Sequence, residues 1–173
     1  MKIEKMKNLI GKHISIKYKG RTELIMGLLI DFNEKWALLK YNVVDYVIDG
    51  YIMLKVKKIK KIIRNENNEF TEKVLLAKGL QITNNDKYPL INFNDTLKFI
   101  SEKFGVIHIE IKDENVCNIG RFLYANEKEI TIQEIGTRAE WIENETFKFK
   151  DVWLFEFDTD YCNSLVLYNK IYE

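Results

Sequence analysis

Gly11–Phe32 reads GKHISIKYKGRTELIMGLLIDF, and this stretch decides the fold. Polar and apolar residues alternate over His13–Tyr18, which is the period of a strand with one buried face. After a glycine-containing turn, Leu24–Phe32 is a long apolar run with Gly27 inside it. A glycine within a strand often marks a bulge or a sharp bend. The sequence therefore predicts a short, strongly bent antiparallel sheet.

The residues on either side extend this sheet. Apolar residues at helical spacing before Gly11 predict a short helix. Downstream, the pattern predicts turns at Asn33–Lys35 and Asp49–Gly50, and strands over Trp36–Val44, Tyr51–Val56 and Ile59–Ile63.

The same order of elements recurs 93 residues later in the chain. Asn33-Glu34-Lys35 matches Asn126-Glu127-Lys128, and Gly27 matches Gly120 at the same offset. A second helical stretch ends at Gly105, as the first ends at Gly11. Strand pattern, turn residues and glycine placement repeat together, so the sequence predicts two copies of one small fold.

Between the copies the composition is more polar. Asn65–Asn68 reads as a polar loop, and Thr71 is predicted to cap a short helix that runs to Lys78 and ends at Gly79. A further helix is predicted from an Asn94 cap to Phe104. We therefore predict a basic small β-barrel domain at residues 1–64, a linker with a short helix at 65–92, and an acidic barrel domain at 93–173.

A helix, a glycine and about five bent strands within 60 residues resemble the Sm-like fold, one of the SH3-like small barrels. Residues 10–32 resemble the first Sm motif, with Gly11, Gly20 and Gly27 at its glycine positions and Asp31 at its acidic position. The resemblance implies a mainly β fold and, in that family, RNA binding. Two features depart from the family's RNA site. No Asn stands four or five residues after Asp31, and Asp49-Gly50 stands nearest to the position where the family has an Arg-Gly or Lys-Gly pair.

Charge is divided unevenly along the chain. The total is 27 Lys+Arg against 26 Asp+Glu, but residues 1–64 carry a net charge of +9 and residues 65–173 one of −8. The basic excess peaks in a candidate stripe, made of Lys55, Lys57, Lys58, Lys60, Lys61 and Arg64, with Tyr51 available for base stacking. This stripe indicates either phosphate binding or an edge strand that lysines protect from aggregation.

The chemistry-bearing residues are few. His13 and His108 occupy matching strands and are expected at the surface or rim, because neither has a metal-ligand or catalytic constellation around it in the sequence. Cys117 is expected in the core, and the two cysteines, Cys117 and Cys162, form no disulfide framework, which favours the cytoplasm. No phosphate loop, nucleophile elbow or metal motif is present in the sequence. No charge-free run approaches the ~18 residues of a membrane span.

These patterns predict a mainly β protein of two tandem Sm-like barrels, each preceded by a short helix. The expected role is a non-catalytic binding or assembly module that needs no cofactor or metal and whose partner is a protein, through self-association or with another chain. The alternative is binding of RNA or single-stranded nucleic acid through the basic stripe. An enzyme is the third and least favoured class.

Overall fold

The computed structural model describes residues 2–86, 88, 90, 92–112, 116 and 118–172. The chain forms two compact units, Met1–Leu90 and Ile91–Glu173. Strands hold more residues than helices, so the protein is mainly β, as predicted. Cys117, which the sequence predicts in the core, lies outside the described residues.

Among its described residues, the first unit has two α-helices and five strands. The elements are α1 (Lys2–Lys7), β1 (His13–Tyr18), β2 (Leu24–Phe32), β3 (Trp36–Val44), β4 (Val47–Lys55), β5 (Ile59–Ile63) and α2 (Glu66–Ala77). Every ladder is antiparallel, and the strands lie in the order β5-β1-β2-β3-β4. The core is built from these strands and includes Ile14, Ile16, Leu28, Leu39 and Ile52. In β2, β3 and β4 consecutive residues are buried, so both faces of these strands are covered.

The second unit repeats this order. Its elements are α3 (Phe93–Phe104), β6 (Ile107–Glu110), β7 (Asn118–Ala125), β8 (Glu129–Ile135), β9 (Trp141–Lys148), β10 (Leu154–Phe157) and α4 (Asp160–Tyr172). The antiparallel ladders give the order β10-β6-β7-β8-β9. Each unit is thus a four-strand meander whose fifth strand returns to pair with the first.

The two Asn-Glu-Lys tripeptides form the same turn. Asn33 Oδ1 accepts hydrogen bonds from the backbone N–H groups of Lys35 and Trp36, each at 2.8 Å. Asn126 Oδ1 accepts from those of Lys128 and Glu129 at 2.7 and 3.0 Å. These side chains close the turn as Asx motifs do, which explains why asparagine stands at the same place in both units.

The two strand glycines also have the same role. A Cβ on Gly27 would lie 2.3 Å from the carbonyl oxygen of Lys40, and one on Gly120 would lie 2.2 Å from that of Gln133. The bulge that the sequence suggested at these glycines comes later in each strand, between Leu29 and Asp31 and between Phe122 and Tyr124. The glycines therefore serve the close approach of neighbouring strands.

Each five-stranded sheet is open in its strand order, so closed barrels are not observed. The first sheet is nevertheless curled, because the ends of β1 and β4 meet although two strands separate them. The backbone N–H of Lys55 donates to the Tyr18 hydroxyl at 3.1 Å. Tyr18 is fully buried at this junction.

Three local predictions were wrong. The hairpin between β3 and β4 turns at Asp45, whose φ is 44°, while Asp49 and Gly50 lie within β4 at a register shift. The Asn65–Asn68 segment is the start of α2, which therefore begins before Thr71. The cap of α3 is Asn92, and Asn94 lies inside that helix.

Asn65 caps α2 through a reciprocal pair of hydrogen bonds. Its side chain accepts from the Asn68 N–H at 3.2 Å, and the Asn68 side chain accepts from the Asn65 N–H at 3.1 Å. We expect Asn65→Ala to lower the free energy of unfolding by about 1 kcal/mol, because it leaves the Asn68 N–H, in the first turn of the helix, without its acceptor. Urea denaturation measures this loss. The exposed Asn67→Ala is the control, and equal losses in the two variants would contradict the capping role.

The C-terminal helix α4 had no counterpart in the sequence prediction. It packs on the second unit through Cys162 and Leu165, in a cluster with Val106, Ile119 and Ile135. Asn169 fixes it further, by accepting from Trp141 Nε1 at 3.1 Å and donating to the Ala139 carbonyl at 3.0 Å. No helix in the described part of the chain is both long and apolar enough to cross a membrane.

Candidate functional sites

The predicted basic stripe divides into an inner and an outer part. Lys55 is buried, with its ammonium group 5.5 Å from the centre of the Trp36 ring. Tyr51 is buried as well, and its hydroxyl donates to Asp86. Arg64 turns inward to the Glu72 carboxylate at 2.8 Å. These three residues are therefore part of the framework of the first unit, and Tyr51 presents no face for base stacking.

The outer part is a group of exposed lysines, which we call the lysine patch. Its members are Lys17, Lys19, Lys57, Lys60 and Lys61. Lys17 and Lys61 are register partners in the β1–β5 ladder. The backbone N–H of Lys19 donates to the Lys58 carbonyl at 3.0 Å. Lys58, which belongs to the predicted stripe, is itself half-buried. Among the described residues, none of the five patch lysines has an acidic partner within 4.0 Å, so their charges add.

The second unit carries an opposite charge on its own outer strand, which we call the acidic edge. Glu143 and Glu145 are exposed on β9, and Glu134 lies on the neighbouring β8. Burial raises the pKa of Glu134, and the charges of Glu145 and Glu143 raise it further. Like charges are therefore held close together here, and a cation placed beside them would relieve their repulsion.

A buried polar cluster joins α2 to the sheet of the first unit. His13, predicted at the surface or rim, is only 1% exposed, which corrects that prediction. Its backbone N–H donates to Glu72 Oε2 at 2.7 Å, and its ring contacts Asn42 and Asn68 at 3.0 and 3.2 Å. Arg64 donates to the His13 carbonyl at 2.9 Å. We call His13, Asn42, Arg64, Asn68 and Glu72 the His13 cluster.

The ion pair in the His13 cluster is set by its surroundings. Burial by itself would raise the pKa of Glu72, but hydrogen bonds from the His13 N–H and from Arg64 lower it below 4.5, as does the charge of Lys12. The carboxylate is therefore ionised at neutral pH. The sequence analysis did not predict this cluster. Asn68 and Glu72 lie four residues apart on a helix, and this spacing could have indicated a polar helix face.

A second buried carboxylate, Asp86, anchors the end of the first unit. It accepts hydrogen bonds from Tyr51 and Thr83 and lies 3.1 Å from Lys40 Nζ. Burial raises the pKa of Tyr51, and the hydrogen bond to Asp86 adds to the rise. The segment around Asp86, which the sequence assigns to a linker, is thereby held against β3 and β4.

His108 is half-buried, and its Nδ1 lies 3.3 Å from Glu156 Oε2. A histidine paired with a carboxylate is one part of a catalytic arrangement. The two grooves described in the second unit, of about 430 and 420 Å³, are lined by other residues. Among the described residues, no group of three His, Cys, Asp or Glu is placed to hold a metal ion.

Comparison with protein-family models, curated proteins and solved structures found no match to this chain.

Proposed function

We propose that this chain is a non-catalytic self-assembly module made of two Sm-like small barrels, in which β5 of one copy binds β9 of another. The opposite charge of these two strands is the observation that carries the proposal. The proposal also keeps the sequence-based assignment to a reducing cytoplasm, since the chain has only two cysteines and Cys162 is a buried thiol.

The Sm-like part of the proposal is supported by the architecture of each unit. A helix precedes a meander of four strands, and the fifth strand pairs with the first in both units. The Tyr18 contact with Lys55 brings the ends of β1 and β4 together, as the curling of a sheet into a small barrel requires.

Charge complementarity supports a second copy as the partner. Residues 1–90 hold 18 Lys+Arg and 10 Asp+Glu, a net of +8, whereas residues 91–173 hold 9 and 16, a net of −7. The lysine patch includes Lys60 and Lys61 on β5, and the acidic edge includes Glu143 and Glu145 on β9. Opposite fields of this kind steer association and fix its direction.

The position of the two strands supports the same conclusion. β5 lies at one end of the first strand order and β9 at one end of the second. A terminal strand presents backbone N–H and C=O groups that can pair with another chain. Because β5 and β9 are different surfaces, their pairing is head-to-tail and leads to rings or filaments.

Sedimentation velocity of two charge-reversed variants tests the assembly. We expect the wild-type chain to sediment as oligomers at low salt and to shift toward the monomer at high salt. Lys60→Glu/Lys61→Glu and Glu143→Lys/Glu145→Lys should each remain monomeric, because each carries like charges on both strands. An equimolar mixture of the two variants should assemble again. The first variant keeps the acidic β9 and the second keeps the basic β5, so the wild-type pairing can form between them.

The exposed Lys73→Glu, on α2, is the matched control and should assemble as the wild type does. A wild-type monomer at every salt concentration would overturn the proposal. So would a mixture of the two variants that stays monomeric.

The lysine patch also favours a second candidate function, the binding of RNA or single-stranded DNA. Five cations that share a surface without acidic partners can contact successive phosphates. Filter binding of a single-stranded oligonucleotide at low salt, with Lys57→Glu/Lys60→Glu/Lys61→Glu as the comparison, tests it. Retention by the wild type that the variant loses would support this function, and equal retention would exclude it.

A further inference from the structure

The amide groups on both sides of the His13 ring have fixed orientations. The Asn42 Nδ2 donates to three carbonyls of the β3–β4 hairpin, those of Val44, Asp45 and Val47, at 3.3, 3.1 and 2.9 Å. This arrangement turns Asn42 Oδ1, an acceptor, toward His13 Nε2 at 3.0 Å. The Nε2 atom therefore carries the proton.

The second amide fixes the other ring nitrogen. Asn68 Oδ1 accepts from the Asn65 N–H at 3.1 Å in the helix cap, so Asn68 Nδ2 faces inward. There it donates to Ser15 Oγ at 2.8 Å and approaches His13 Nδ1 at 3.2 Å. Because an amide N–H can only donate, Nδ1 must accept and must be unprotonated.

The cluster thus accommodates only neutral histidine. A second proton on Nδ1 would point at the amide hydrogens of Asn68, in a site where the side chain is 1% exposed. The charged groups around the ring are Glu72 and Glu69 on α2, Arg64 after β5, and Lys12 before β1. Glu72 is already bound by Arg64 and by the His13 backbone N–H, so it is not available to the ring.

Helix α2 depends on this cluster for its attachment. Its buried residues are Asn68, Glu72 and Leu75, and two of these three are polar members of the cluster. Phe70 and Leu76, by contrast, are exposed. The helix is held by its hydrogen bonds to β1 and Arg64, by the buried Leu75 side chain, and by edge-on packing of the Phe70 ring against Tyr46.

We propose that His13 is a pH-sensitive latch that holds α2 on the first unit while it is neutral and releases the helix when it is protonated. Release would also free Arg64, the residue directly after β5, from its bonds to Glu72 and to the His13 carbonyl. The latch is independent of the proposed assembly, because it is a property of one unit of one chain.

The electrostatics agree with the geometry. Burial lowers the pKa of His13 below 6.5 and Arg64 lowers it further, while the hydrogen bond to Asn42 and the charge of Glu72 oppose the shift. The released state has the ordinary pKa and binds the proton more tightly. The docked helix is therefore fully stabilised above pH 6.5 and loses stability as the pH falls toward the lowered pKa, by up to about tenfold in equilibrium constant per pH unit.

Hydrogen exchange of α2, measured by mass spectrometry at about pH 7.5 and about pH 5 and corrected for intrinsic rates, tests the latch. We expect protection of α2 to fall at the lower pH, by up to about tenfold for each pH unit below 6.5, while the sheet of the first unit keeps its protection. Glu72 stays ionised over this range, because its pKa lies below 4.5.

Three variants separate the latch from a general effect of acid. His13→Gln should give α2 the same protection at both pH values. Asn68→Asp puts a carboxylate opposite Nδ1, and it should preserve protection of α2 at the lower pH because the protonated ring then has an acceptor. His108→Gln, which alters the other histidine, should behave as the wild type does.

The latch would be overturned by α2 protection that does not change with pH in the wild-type protein, or by an equal loss in His13→Gln. It would also be overturned by nitrogen NMR that finds the proton on Nδ1 at neutral pH. Loss of the pH effect in His108→Gln would assign it to the second unit instead.

Discussion

Gly120→Ala is expected to lower the free energy of unfolding by about 3 kcal/mol. The new Cβ would lie 2.2 Å from the carbonyl oxygen of Gln133, and the Gln133 carbonyl carbon is only 2.8 Å away. Both atoms belong to the backbone of β8, which cannot move without breaking its ladder with β7. Gly27→Ala, at the matching place in the first unit, should have a similar effect.

Urea denaturation followed by circular dichroism measures both losses. Gly11→Asn is the control, because nothing lies within 4 Å of a Cβ there and asparagine tolerates the φ of 79°. If Gly120→Ala lowered the free energy of unfolding no more than Gly11→Asn does, the close approach of β7 and β8 would be contradicted.

Glu72→Ala is expected to cost about 3 kcal/mol, because it removes the acceptor of two buried donors at once. The carboxylate accepts from the His13 N–H at 2.7 Å and from Arg64 at 2.8 Å, and its side chain is 11% exposed. Without it, Arg64 keeps a charge that is four-fifths buried and lacks its main partner. Chemical denaturation at neutral pH measures the loss.

Glu69→Ala is a matched control, since Glu69 lies 3.8 Å from the same arginine but is 56% exposed, and it should cost less than about 0.5 kcal/mol. The difference between wild type and Glu72→Ala should shrink as the pH falls below 4.5. The pKa of Glu72 is lowered in the folded state, so its stabilisation is present above the ordinary value and is lost as the carboxylate becomes protonated. A difference that stays constant down to low pH would contradict the ion pair.

Much of the strand structure could be predicted from the sequence. Alternation over His13–Tyr18 and the apolar run over Leu24–Phe32 give β1 and β2 at their observed bounds. The bounds of β3 and β5 were also predicted correctly. Such patterns are reliable here because the buried face of a strand must be apolar along its whole length.

The errors at the β3–β4 hairpin and at His13 have different causes. Asn42 closes the β3–β4 hairpin from within β3, so the turn forms at Asp45 and the glycine of Asp49-Gly50 serves a bulge instead. His13 looked like a rim residue because its partners Asn68 and Glu72 are more than 50 residues away in the sequence. The first error concerns a local side-chain contact that competes with the usual turn residues, whereas the His13 contacts leave no local pattern.

The sequence by itself determined the strands, the paired asparagine turns and glycines 93 residues apart, and the opposite charge of the two halves. These features depend on local steric rules and on composition, which the order of residues contains directly. Only the tertiary structure decided which members of the basic stripe are exposed, that α4 completes the second unit, and that His13 is buried between two oriented amides. Those properties depend on which distant segments meet, because burial and hydrogen-bond partners are set by packing.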